Sequence, residues 1–125
     1  MMVEIVGVDA TGVEVTSPVG PFRAGWHGAP PPIGARRDVE FSFHAHQFTW
    51  GVDAVAIDEQ PHAIEPGAND DYVLWARIEQ LEDGGGLVLR FGPSIVLTGA
   101  DGDPPPVGSM VRLEVPSITL YDTNI

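Results

Sequence analysis

Apolar and polar residues alternate with a period of two along most of the chain, and this predicts strands rather than helices. Residues 3–8 and 13–16 flank Asp9-Ala10-Thr11-Gly12 and read as a hairpin. Residues 38–46 place Val39, Phe41, Phe43 and Ala45 on one face and Glu40, Ser42, His44 and His46 on the other, as strand pleating requires. Residues 52–57 form a further short strand. Residues 58–71 hold two prolines, one glycine and the acids Asp58, Glu59, Glu65, Asp70 and Asp71, and read as a long surface connection with one helical turn. Residues 72–81 resume a strand, with Tyr72, Leu74, Ala76 and Ile78 on one face and Trp75, Arg77 and Glu79 on the other. Asp83-Gly84-Gly85-Gly86 is a tight turn that returns residues 87–91 antiparallel. Residues 94–97, 111–115 and 118–121 complete the set.

These elements predict an all-β fold, a small antiparallel β-barrel in a single domain over residues 1–125, with a β-sandwich as the alternative. Val39, Phe41, Phe43, Leu74, Ile78, Leu113 and Val115 are the expected core. The chain also reads as two similar halves. Pro30-Pro31-Pro32-Ile33-Gly34 precedes Val39, and Pro104-Pro105-Pro106-Val107-Gly108 precedes Leu113, at the same spacing of 74 residues. Gly20-Pro21 and Gly92-Pro93 each follow a strand and precede a short one. A duplicated half-barrel would produce this order; turn chemistry alone also recurs in short repeats of this kind.

Composition narrows the partners. The chain has 18 acids against 6 bases, a formal charge of −12, and every base is Arg. Such a chain repels phosphate backbones and anionic membranes, so neither nucleic acid nor a membrane is an expected partner. A basic protein partner fits the charge. With no cysteine there is no disulfide framework or thiolate. No apolar run approaches the roughly 20 residues that span a bilayer, and the N-terminus carries no basic leader, so a cytoplasmic location is expected.

The segment Pro106-Val107-Gly108-Ser109-Met110-Val111-Arg112-Leu113-Glu114-Val115 resembles the Pro-x-Gly-x-x-Val-x-Leu-x-Val pattern of OB-fold barrels, and the hairpin over residues 72–91 fits their long curved strand pair. The resemblance covers the last third of the chain and implies a barrel. OB-folds often bind oligonucleotides or oligosaccharides; the acidity and lack of Lys depart from the nucleic-acid version.

Few residues carry recognisable chemistry. His44 and His46, two apart on a strand, would share a face and could chelate one divalent metal, with His27 or His62 as further ligands. The cupin-like continuation of such a pair is absent, because Gln47-Phe48-Thr49-Trp50 follows. No cofactor motif, calcium loop or nucleophile elbow occurs, and no pair of acids has a separation that the sequence fixes, so no enzyme is identified. Trp75, Arg77 and Tyr121, outward by strand phase, together with Asp58, Glu59, Asp70 and Asp71, are the candidate partner-binding residues. Trp26 and Trp50, at strand ends, are expected to plug the core. The expected function is a non-catalytic module that binds a protein partner, such as an inhibitor of a basic toxin or a subunit of an assembly, with a metal- or small-ligand-binding barrel as the alternative. Exposed strand edges also permit a homo-oligomer.

Overall fold

Two meanders with the same register organise the chain, which is described here in a computed structural model at residues 1–44 and 46–123. The first is β1 (Met2–Asp9), β2 (Gly12–Thr16) and β3 (Phe22–Trp26), followed by β4 (Arg36–Ser42), which returns to pair with β1. The segment after it forms β5 (Gln47–Thr49), β6 (Ala54–Ala56) and β7 (Ala63–Pro66). The second meander is β8 (Tyr72–Leu81), β9 (Gly86–Phe91) and β10 (Ser94–Asp101), followed by β11 (Met110–Val115), which pairs with β8, and finally β12 (Thr119–Asp122).

Each meander is closed by a strand from the other half. β12, from the end of the chain, runs parallel to β3 and antiparallel to β4, which closes the first barrel in the order β1-β2-β3-β12-β4. β5 and β6, which follow the first meander, serve the second one in the same way: β5 is parallel to β10 and β6 antiparallel to β11. Residues 50–53 kink out between them, so the second sheet is nearly closed. β7 adds to the first part of β8.

The register is repeated position by position. Val15 opposes Phe22 and Leu89 opposes Val96. Val3 opposes Arg37 and Ala76 opposes Val111. Both hairpins bulge at the same place, after Ile5 and after Ile78. The two triproline turns make the same bonds: the N–H of Gly34 and of Gly108, 74 residues apart, donate to the carbonyls of Ile5 and Ile78 at 2.7 and 2.9 Å. Those of Ala35 and Ser109 donate to Pro32 and Pro106, each at 3.1 Å. Gly34 and Gly108 have φ of 90° and 92°, a region that a side chain enters only with strain.

The apolar faces of both sheets meet in one continuous core. Val39, Phe41, Phe43, Leu74, Ile78, Leu113 and Val115 are all buried in it, as the alternation requires. Phe41 joins the halves, tilted on Phe22 and edge-on to Phe91 with ring centroids 5.6 Å away in each case. Leu120 of β12 is fully buried in the barrel it closes; such a leucine contributes about 1.5–3 kcal/mol. Trp26 and Trp50 pack partly buried against the core, the structural place expected of them. Among the described residues no helix is long and apolar enough to cross a membrane.

The structure corrects several boundaries. The strand expected over residues 38–46 ends at Ser42, and His44 turns with φ of 55°. Ala45, expected on the inner face, lies outside the described residues. The strand expected over 52–57 shortens to β6, because the kink at 50–53 takes its start. Residues 58–71 contain β7 in place of a helical turn: Ile64 is buried, and its N–H donates to the Val19 carbonyl at 3.0 Å. The strand begun at Ser94 runs on to Asp101, held by β5 at its far end.

The shared turn geometry makes a paired prediction. Gly34→Ala and Gly108→Ala each place a Cβ in open space at positive φ, so the cost is backbone strain alone, about 1–2 kcal/mol in each. Urea unfolding midpoints of the two variants should fall by similar amounts; a neutral result at either position would contradict the equivalence of the turns.

Candidate functional site

A cleft of about 510 Å³ opens where the halves meet. The first barrel supplies Thr11, Arg23 and Gly25, the β7–β8 hairpin supplies Gly67, Asp70, Asp71 and Tyr72, and the link into β12 supplies Pro116 and Ser117. The hairpin turn is tight: the Gly67 N–H donates to the Asp71 carbonyl at 2.8 Å and the Asp71 N–H to Ala68 at 3.0 Å. Asn69 and Asp70 sit at φ of 55° and 63°, a left-handed conformation that Asn and Asp tolerate best among residues with a side chain. The Tyr72 ring stands edge-on to Phe22 at 6.4 Å, and its hydroxyl accepts the Arg23 backbone N–H at 2.6 Å, which pins the rim of the cleft to β3.

Arg23 is the cation of this cleft, and it is already occupied. Its guanidinium donates to Asp9 and to the Thr11 hydroxyl, with Glu14 at 3.6 Å. The hydrogen bond from Arg23 holds the Asp9 carboxyl far below the usual carboxylate range, and the same bond raises the arginine. What is left to meet a visitor is Asp70 and Asp71, neither with a cationic partner among the described residues, together with Pro and Gly surface. The Thr11 hydroxyl at the cleft rim donates to Asp9 at 2.8 Å, and the carboxylates of Asp70 and Asp71 suit the cleft to a cationic or hydrogen-bond-donating group.

The remaining candidate residues are dispersed. Arg77 and Glu59 are bound to each other, and Arg77 also donates to the Gly108 carbonyl at 2.7 Å, so this pair clamps a turn; the bond lowers the Glu59 carboxyl and raises Arg77. Asp58, beside Glu59, is exposed. Trp75 is half-buried on β8, opposite Ala63 of β7 and Arg112 of β11. Tyr121, on β12, is 38% exposed and stacks on His27 with centroids 4.5 Å apart. Only Asp70 and Asp71 of the set line the cleft.

His44 and His46 do not share a strand face, because β4 stops before them. His44 Nε2 is bonded to the Thr119 hydroxyl, and the His46 Nε2–H donates to Asp53 Oδ2 at 2.9 Å. Asp53 also accepts the Thr49 N–H at 2.6 Å, so this imidazole braces the kink between β5 and β6. Among the described residues no three His, Asp or Glu side chains gather as a metal site would need.

The charge is distributed unevenly. All six arginines are ion-paired: Arg23, Arg77, Arg36 with Glu4, Arg37 with Asp122, Arg90 with Glu79, and Arg112 with Glu114. Glu65, Asp70, Asp71, Glu82, Asp83 and Asp101, by contrast, have no cationic partner among the described residues. The N-terminal ammonium takes Asp38 at 2.8 Å, and that bond lowers the Asp38 carboxyl. Sequence reading missed Arg23, Asp9 and Thr11; Asp9 and Thr11 bond within the β1–β2 turn, and the pairing of β1, β2 and β3 brings Arg23 to them. Comparison with protein-family models, characterised proteins and solved structures finds no match to this chain.

His62 gives the region a pH dependence. Its Nδ1 accepts the Gly92 N–H at 2.7 Å, so the neutral ring is the bound form. Burial lowers its pKa from the ordinary 6.5, with the charges of Arg77 and Arg90 acting the same way and Glu59 opposing. A group depressed on folding stabilises the fold fully above its unfolded value and loses that contribution as pH falls through the folded one. His62→Ala should therefore cost about 1 kcal/mol near pH 7.5, and the cost should shrink as the pH is lowered through the range below 6.5. Urea midpoints of both proteins across that range check it; a gap that widens on acidification would contradict the assignment.

Proposed function

We propose that this chain is a non-catalytic binding module whose acidic surface engages a basic protein partner. The observation that carries the reading is the uneven pairing of charge. Every arginine is consumed by an internal carboxylate, while carboxylates at the interbarrel cleft and at the β8–β9 turn have no cation among the described residues. A surface left in that state attracts cations and offers nothing to a phosphate. The closed five-stranded barrel is in keeping with the OB-like resemblance of the Pro-x-Gly turn, and the charge argues against an oligonucleotide as its ligand. The dispersal of the candidate residues over the surface suits contact with a protein better than enclosure of a small molecule. A toxin-neutralising role and a subunit role are both compatible with such a surface.

Calorimetric titration of the full chain with a hexa-arginine peptide tests the reading. Saturable binding at about 0.05 M salt should weaken at least about tenfold by 0.5 M, as screening of exposed charges requires. A single-stranded 20-nucleotide DNA should give no heat. Salt-independent binding of the peptide, or none, would overturn the proposal.

A further inference from the structure

The two hairpins share one register, and their outer faces differ where the first has Arg23 opposite Glu14 and the second has Leu97 opposite Val88. In the first half, Asp9 opposes Gly12, and Arg23 opposes Glu14 on the outer face of β2 and β3. The Arg23 side chain runs along that face and places its guanidinium on Asp9. In the second half the carboxylate is kept: Glu82 stands opposite Gly86, with its N–H donating to the Gly86 carbonyl at 2.9 Å. The arginine is not kept. Leu97, 74 residues after Arg23, opposes Val88 and is 73% exposed, next to Ile95 at 42% on the same face. Farther along that face Asp101 is exposed. The hollow beside each hairpin is repeated too, about 240 Å³ at Asp9, Gly12, Gly28 and Pro30 and about 160 Å³ at Glu82, Gly86, Gly102 and Pro104.

The first half thus displays what its counterpart lacks. Where Arg23 lies, the second half presents the exposed apolar Leu97 opposite Val88, and at the hairpin end a carboxylate, Glu82, without a cation among the described residues. An arginine or lysine side chain has that same division, an apolar stem and a charged head. We propose that the outer face of β9 and β10 docks an arginine side chain of a basic protein partner, with its stem on Leu97 and its guanidinium on Glu82. The site occupies in trans the place that Arg23 fills in cis. This rests on the basic-partner reading above and gives it an address away from the interbarrel cleft.

Three single substitutions change the net charge by the same +1: Glu82→Gln, Leu97→Arg and Glu65→Gln. All three positions are exposed, so the fold should tolerate them. Hexa-arginine is titrated into each at about 0.05 M salt, with backbone amide shifts recorded by NMR. Glu82→Gln should weaken binding at least about threefold, the scale of one exposed charge-assisted contact. Leu97→Arg should weaken it as much, by filling the place internally, and Glu65→Gln should change it less than about twofold. Amide shifts should centre on Glu82, Gly86 and Leu97. Equal weakening by all three variants, or a dominant effect of Glu65→Gln, would remove this site and leave the basic-partner reading standing. Failure of the unmodified chain to bind the peptide would remove both.

Discussion

An open β-sheet leaves a row of N–H and C=O groups along each edge, and these must be paired, covered or left to invite another chain. Here each half satisfies its edges with a strand that the other half supplies. β12 fits between β3 and β4, and its link brings the Ile118 carbonyl to the Gly25 N–H at 2.9 Å. The kinked pair β5 and β6 fits between β10 and β11. Everything else follows from that exchange. It threads the polypeptide between the halves twice, fuses the two apolar interiors into one core around Phe41, and creates the cleft where the hairpin of β7 and β8 meets β3.

Local pattern revealed the members of this arrangement but not their partners. The alternation at Val39, Phe41, Leu74, Ile78, Leu113 and Val115 identified the inner face because period-two burial is a property of each strand alone. The triproline turns were legible for the same reason, as their bonds lie close by in space and need only the preceding strand. β5, β7 and the end of β10 were not legible. Gln47-Phe48-Thr49 reads as a continuation of β4, and Ala63-Ile64-Glu65-Pro66 contains a proline. They become strands because β10 and β8 present unpaired edges to them. The candidate site divided in the same way: Asp70 and Asp71 stood out by composition, whereas the Arg23–Asp9–Thr11 cluster required the register of three strands.

Electrostatics adds a second layer to the frame. The arginines do structural tasks: Arg77 ties Glu59 to the Gly108 turn, and Arg37 reaches Asp122 of the exchanged strand at 3.3 Å. These exposed pairs contribute little stability each. Their larger effect is on what the surface can attract, because they remove every positive group from competition and leave the unpaired carboxylates to set the field.

The exchange also orders events in time. β3 and β4 are among the early parts of the chain to be synthesised, yet their shared neighbour is β12, paired through Leu120 with Trp26 and Phe41. Contacts so distant along the chain are slow to form, because a long loop must close before they reward it. The first barrel must therefore wait, open along that seam, until residues 119–122 have left the ribosome, so it cannot mature before the second half has been made.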